Sequence, residues 1–190
     1  VRVSQQEGVN ITINGKISDT ENYQFNGTVF VDGNSRSTGT ETLTIQNINF
    51  YTADDSRDFI SCNDGGNVVI RYAHNVTVEN CNFATSAGNT NNTVVGMRFR
   101  QGFNIAINGG TFTGLHSVLQ AYGNAGVTID GITATNMKNG ISLGTSTNVS
   151  ISNSNIAAAG YGVRADGTGA YGVTMTSNNI TADLPVVVRN

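Results

Sequence analysis

The stretch Val127-Thr128-Ile129-Asp130-Gly131-Ile132, followed by a polar turn, Gly140-Ile141-Ser142-Leu143-Gly144 and then Asn148-Val149-Ser150-Ile151-Ser152-Asn153, decides the fold. Its opening pattern, aliphatic at alternate positions and closed by Gly or Asn, begins again after 22 residues at Val149. Alternation with period two marks a strand with one buried face. A short strand recurring at an interval marks a solenoid, in which each coil covers the apolar face of the next. Two strands per repeat are legible, the second on residues 140–144.

Working outward from this template, the first strand begins at Leu43, Val76, Ile105, Val127, Val149 and Val173, with Ile11 as an earlier member; the spacings from Leu43 onward are 33, 29, 22, 22 and 24 residues. Insertions that bulge from turns leave stacked strands undisturbed, so unequal coils are compatible with one solenoid. With each start as position zero, positions zero and two hold inward aliphatics, from Leu43 and Ile45 to Val173 and Met175. Position one is the outward column Thr44, Thr77, Ala106, Thr128, Ser150 and Thr174. Position four reads Asn47, Asn80, Gly109, Gly131, Asn153 and Ser177, the residue types that best tolerate a left-handed bend. Position six reads Asn49, Asn82, Thr111, Thr133, Asn155 and Asn179, whose amides and hydroxyls lie about 4.8 Å from their counterparts in adjacent coils and can bond to them. Position seven turns inward again, with Phe50, Phe83 and Phe112 as core. The second strand is anchored fourteen residues after each start, at Leu119, Ile141, Val163 and Val187, with Met97 and Val68 in the same column. The longer coils then take their extra residues before it, at 52–57 and 87–92.

A chain of 190 residues with 38% hydrophobic content can form one domain over residues 1–190, with 1–42 as irregular first coils and 43–190 as regular ones. The 23 Gly and only 12% charged residues shift the composition toward turns and uncharged polar positions, yet Val and Ile recurring in register exclude low-complexity disorder. A net charge of −3 and a pI near 5.2 leave no basic field, which argues against nucleic acid as a partner. No apolar run approaches the roughly 18 residues needed to span a bilayer, so membrane insertion of this segment is not expected. Cys62 and Cys81 form no disulfide framework and lack zinc-ligand spacing; they read as buried free thiols, with a bridge between them as the alternative. The sequence stops inside a second strand at Val186-Val187-Val188-Arg189-Asn190, so a piece of a longer protein is expected, with neighbouring coils or domains of that protein among its partners.

These columns resemble the right-handed parallel β-helix proteins of the pectate-lyase-like superfamily, among them bacterial surface and secreted β-helix proteins, over nearly the whole chain. The resemblance implies an all-β fold, a right-handed parallel β-helix of about six to seven coils of about 22–34 residues. It also implies attention to acidic and basic residues on one face, because enzymes of that superfamily usually act on acidic polysaccharides with a basic proton acceptor and calcium or cationic groups.

Two clusters answer that description. Asp54, Asp55 and Asp58, with Asp64 nearby, are candidate calcium ligands, since calcium takes several oxygens at about 2.3–2.6 Å, or candidate paired acids of glycoside hydrolysis. β-Helix polygalacturonases also share Asn-Thr-Asp, Gly-His-Gly and Arg-Ile-Lys motifs that this chain lacks, so the alternative is a solvated loop with a local ion pair to Arg57. No other cofactor is expected. The second cluster comes from the columns. One residue past the second-strand anchor stand Arg98, Gln120, Ser142 and Arg164; three residues past it stand Arg71, Arg100, Tyr122, Gly144 and Asp166, on the same outward face. Gathered arginines repel unless carboxylates or a bound anion offset them. A polysaccharide or host-surface glycan can take Arg contacts there and stack on Tyr122. The alternative is a solubilising face with ion pairs to neighbouring loops.

Glycan-binding candidates are therefore Arg71, Arg98, Arg100, His116, Gln120, Tyr122 and Arg164, and no residue is assigned a catalytic role. His74 and His116, at a strand start and in a turn, read as surface residues. Asn-x-Thr/Ser triplets begin at Asn10, Asn26, Asn75, Asn91, Asn148 and Asn179, where the repeat itself generates them. Three functions are consistent with this reading. The first is a non-catalytic extracellular or cell-surface segment, adhesive or structural, with glycan contact. The second is a polysaccharide lyase or hydrolase, for which Arg71, Arg98, Arg100, His116 and Tyr122 would be the first candidates. The third, ice binding through the Thr44 column, is opposed by Glu79 and Asp130 in the adjacent outward column.

Overall fold

The computed structural model of the chain describes residues 1–18, 20–33, 39–52, 66–85, 94–167 and 172–189. Three strands form each coil. The first coil carries β1 (Arg2–Ser4), β2 (Ile11–Asn14) and β3 (Tyr23–Phe25); the second β4 (Val29–Asp32), β5 (Leu43–Gln46) and β6 (Ile48–Thr52); the third β7 (Val68–Arg71), β8 (His74–Glu79) and β9 (Asn82–Thr85). The fourth carries β10 (Val95–Arg100), β11 (Phe103–Asn108) and β12 (Thr111–Thr113); the fifth β13 (Ser117–Tyr122), β14 (Ala125–Asp130) and β15 (Thr133–Met137). The sixth carries β16 (Asn139–Gly144), β17 (Thr147–Ser152) and β18 (Asn155–Ala158), the seventh β19 (Tyr161–Asp166), β20 (Val173–Thr176) and β21 (Asn179–Thr181), and β22 (Leu184–Arg189) begins another turn.

Each coil contributes one strand to each of three parallel sheets. The first sheet runs β1-β4-β7-β10-β13-β16-β19-β22, the second β2-β5-β8-β11-β14-β17-β20 and the third β3-β6-β9-β12-β15-β18-β21. The chain is a right-handed parallel β-helix. Among the described residues no helix is long and apolar enough to cross a membrane.

The aliphatic columns form the core. Leu43, Ile45, Val76, Val78, Ile105, Ile107, Val127, Ile129, Val149 and Ile151 are all buried, while Val173 and Met175 in the last full coil are half-buried. The outward column pairs in the expected register, Thr44 to Thr77, Ala106, Thr128, Ser150 and Thr174. All six position-four residues have positive φ, from 50° at Asn80 to 68° at Gly131. The amide ladder is formed as well: Asn82 Nδ2 donates to Asn49 Oδ1 at 2.8 Å, Thr111 Oγ1 to Asn82 Oδ1 at 2.7 Å, and Asn179 Nδ2 to Asn155 Oδ1 at 3.1 Å. Inside, Phe50, Phe83 and Phe112 stack with centroids 4.9 and 4.6 Å apart and nearly parallel planes.

Three expectations are corrected. The repeat has three strands, not two. From the second coil on, residues within positions five to ten form the third sheet, whose three to five residues per strand are too few for alternation to show. Strands from the first coils pair with the later ones, with Ile11 opposite Leu43, Phe25 opposite Phe50 and Val31 opposite Ile70. The residue facing Val163 is Val186, not Val187, because the last coil is one residue shorter between its first-strand start and its anchor. Finally, His74 is not at the surface, as described below. Cys81 is buried and free, and burial raises its thiol pKa to about 11. Cys62 lies outside the described residues.

Candidate functional site

Outward residues of the first sheet stand in two columns because successive side chains on a strand point to opposite faces. The ladder sets Phe30, Val69, Arg98, Gln120, Ser142 and Arg164 side by side in one column, and Asp32, Arg71, Arg100, Tyr122, Gly144 and Asp166 in the other. Adjacent members of a column lie about 4.8 Å apart.

Over the later coils these columns line an open groove of about 720 Å³, walled by Arg98, Arg100, Gln120, Tyr122, Ser142 and Asp166 and continued by Gly144, Thr145 and Gly167. Arg98 is buried; its Nη2 donates to Gln120 Oε1 at 2.7 Å. That bond commits the carbonyl end of Gln120 to the guanidinium and leaves its amide N–H groups as the end a ligand can use. Arg98 thus orients the groove wall from beneath. Arg100 is half-exposed, and Tyr122 is 55% exposed. A Cβ at position 144 would lie 2.9 Å from Tyr122 Cδ2, so the ring leans over a backbone that only glycine leaves open.

At both ends of this face the charges are paired. Asp32 accepts from Arg71 at 3.2 and 3.3 Å and from Arg2 at 3.0 Å, and these guanidinium bonds, Arg71 first, hold its carboxyl below the usual range despite the opposing effect of burial. Arg71 and Arg2 also flank the Phe30 ring at 5.1 and 5.3 Å. Arg164 pairs with Asp166 and lies over Tyr161 at 5.6 Å. Acids therefore do pair with the arginine face, and Arg71 and Arg164 are engaged by the protein itself.

His116 is not in the groove. It precedes β13, at the opposite end of that strand from Tyr122, about 20 Å away along the chain. Its half-buried ring meets Ser117 Oγ at 2.9 Å, and burial, with Lys138 and Arg98, lowers its pKa. His74 belongs to a separate buried cluster. Its Nε2 meets Glu41 Oε2 at 2.9 Å, Gln5 Nε2 donates to its carbonyl at 2.7 Å, and its own N–H donates to Gln5 Oε1 at 3.0 Å. Glu41 also accepts from the Gly8 N–H at 2.7 Å, and its carboxyl pKa is lowered to about 2, chiefly by the His74 bond and then by Gly8.

Of the sequence candidates, the structure gathers Arg98, Arg100, Gln120 and Tyr122. Arg71 lies one coil before Arg100, and Arg164 next to Ser142 in the ladder. The additions are Asp32, Asp166, Ser142 and Gly144. The last three already stood in the sequence columns, whereas Asp32 was hidden by the unresolved register of the first coils. The candidate calcium residues Asp54, Asp55 and Asp58 lie outside the described residues, and among the described residues no three His, Cys, Asp or Glu side chains gather as a metal site would require. No protein-family model matches this sequence, and no curated protein matches it.

Proposed function

We propose that the chain is a non-catalytic β-helix segment of a bacterial surface or secreted protein of the pectate-lyase-like kind, and that it contacts a polar or anionic glycan along the outer face of its first sheet. The observation that carries this reading is the groove. It combines a cation at Arg100, an exposed aromatic face at Tyr122 and oriented amide and hydroxyl groups at Gln120 and Ser142. Few but well-placed polar groups around an apolar platform are the usual composition of a ligand site. The regular ladders elsewhere on the surface supply the rigidity that a rod or adhesive segment needs.

The test is a glycan array of acidic and neutral oligosaccharides probed with the purified chain. Binding is expected, and Arg100→Ala is expected to weaken it about tenfold through loss of a charge-assisted contact. Binding that is indifferent to Arg100→Ala would remove the groove from the proposal. Release of unsaturated products or new reducing ends from the same glycans would replace it with the lyase or hydrolase reading.

A further inference from the structure

The polar atoms of the groove are not equally open to a ligand. At the far end Asp166 is paired with Arg164 and its Oδ1 is sealed from water. Gln120 stands differently. A guanidinium carries only donors, so the 2.7 Å bond from Arg98 Nη2 fixes the Gln120 amide one way round, with the carbonyl oxygen toward Arg98 and the N–H groups away from it. Gln120 Nε2 has no partner among the described residues and is not sealed from water, so its two donors are reachable from the groove that the residue lines.

Gln120 and Tyr122 stand on the outward face of β13 about 6.6 Å apart, and Ser142 and Gly144 are their ladder partners on β16. The Tyr122 ring leans over Gly144, whose missing side chain leaves it room. Together the four make a floor and a flank. The ring is a floor on which the C–H face of one sugar can lie. A substituent of that sugar directed at the flank meets the two N–H donors of Gln120 and the Ser142 hydroxyl, which donates or accepts as needed.

On the reading that this groove holds a glycan, we infer that Gln120 is its specificity-determining residue and Arg98 the residue that positions it. The sugar on Tyr122 turns a carbonyl-type oxygen, from a carboxylate or an acetamido group, toward Gln120. An amide free to rotate would offer its own carbonyl as readily as its N–H groups, and would hold sugars with hydroxyls as well as those with carbonyl oxygens. The buried Arg98 removes that freedom before a ligand arrives, so less ordering of the side chain opposes binding.

The experiment titrates the purified chain with three tetrasaccharides on one β-linked glucan skeleton: tetraglucose, tetra-N-acetylglucosamine and tetraglucuronate. One or both of the carbonyl-bearing probes is expected to bind about tenfold more tightly than tetraglucose, and the probe that does so identifies the group. Gln120→Glu keeps the shape of the side chain and an acceptor for Arg98 but puts an oxygen in place of the N–H groups. It is expected to reduce the margin to about threefold or less. Arg98→Met, which frees the amide to turn, is expected to reduce it likewise, whereas Arg98→Lys, whose ammonium also only donates, is expected to keep most of it. Circular dichroism of each variant establishes that the β-helix is intact; if Arg98→Met does not fold, Gln120→Glu and Arg98→Lys decide the matter. Equal binding of the three probes, or binding of none where glycans of the array do bind, overturns the assignment while leaving the glycan reading standing, as does a margin that Gln120→Glu leaves unchanged. A margin lost in Gln120→Glu but intact in Arg98→Met overturns the positioning role of Arg98. Absence of binding to all three probes and to every glycan on the array overturns both the assignment and the glycan reading.

Discussion

The inner column Phe50-Phe83-Phe112 and the outer face of the first sheet are built on the same coils, and they obey opposite rules. Along the phenylalanine column the same side chain recurs and each ring packs on the last at 4.6–4.9 Å. Along the outer face no residue type dominates, and charge changes sign between Asp32, Arg71, Arg100 and Asp166. A solenoid propagates by repeating whatever holds neighbouring coils together, so repetition marks architecture. Departure from repetition on a rigid surface is where recognition can be placed without cost to the stack.

The largest break in this comparison comes from the column. Phe83 is fully buried between two other rings, and Phe83→Ala removes both stacking contacts and leaves a cavity. A loss of about 3–5 kcal/mol is expected in urea unfolding, with glycan binding by the remaining folded protein unchanged. A groove that also lost affinity would show that the inner column and outer face are coupled.

The second test concerns the buried cluster of Gln5, Glu41 and His74, which joins three successive coils. Glu41 has its pKa lowered from 4.5 to about 2, so across that window the unfolded chain binds a proton that the folded chain does not. Stability from this group is complete above about pH 4.5 and is lost as pH falls toward 2. Glu41→Gln is therefore expected to lower the melting temperature at neutral pH, and the gap from wild type is expected to close by about pH 2. A gap that stays constant with pH would mean that the cluster acts through shape and not through the Glu41 charge.

A smaller effect is expected from the ladder on the third sheet. Asn82 both donates to Asn49 and accepts from Thr111, and Asn82→Ala is expected to cost about 1–2 kcal/mol in the same unfolding experiment. Asn155, whose one side-chain bond among the described residues is to Asn179, is expected to cost less when changed to Ala. Equal losses would show that ladder bonds contribute individually and not as a chain.

How much of this was legible follows from where the information lies. Inner columns were readable because alternation is local and each coil restates it. Two further columns of positive φ were less so: one is formed by Tyr72, Gln101, Gly123, Thr145 and Gly167, of which only the glycines carry a turn signal, and the other by Asn75, Asn104, Gly126, Asn148 and Gly172, in or beside otherwise extended strands. The groove was readable as far as Arg98, Arg100, Gln120 and Tyr122, because counting from a strand anchor places a residue on a face. It could not place His74, whose burial depends on Glu41 and Gln5, 33 and 69 residues away. Nor could it draw the distinction that Arg71 bonds to Asp32, 39 residues earlier, in coils whose register the columns leave open.

That distinction gives the smallest expected effect. Arg71 and Asp32 are each about a quarter exposed, so their pair is screened, and Arg71→Ala is expected to cost about 1 kcal/mol or less, diminishing as salt is added. Part of the loss will be insensitive to salt, since the guanidinium also covers the Phe30 and Tyr72 rings. Glycan affinity is expected to change by less than about threefold, against about tenfold for Arg100→Ala, although the two arginines face each other across one strand spacing. An Arg71→Ala protein that loses binding as severely as Arg100→Ala would extend the recognition surface past β10 into the earlier coils. It would also show that a cation already paired within the protein can still be recruited by the ligand.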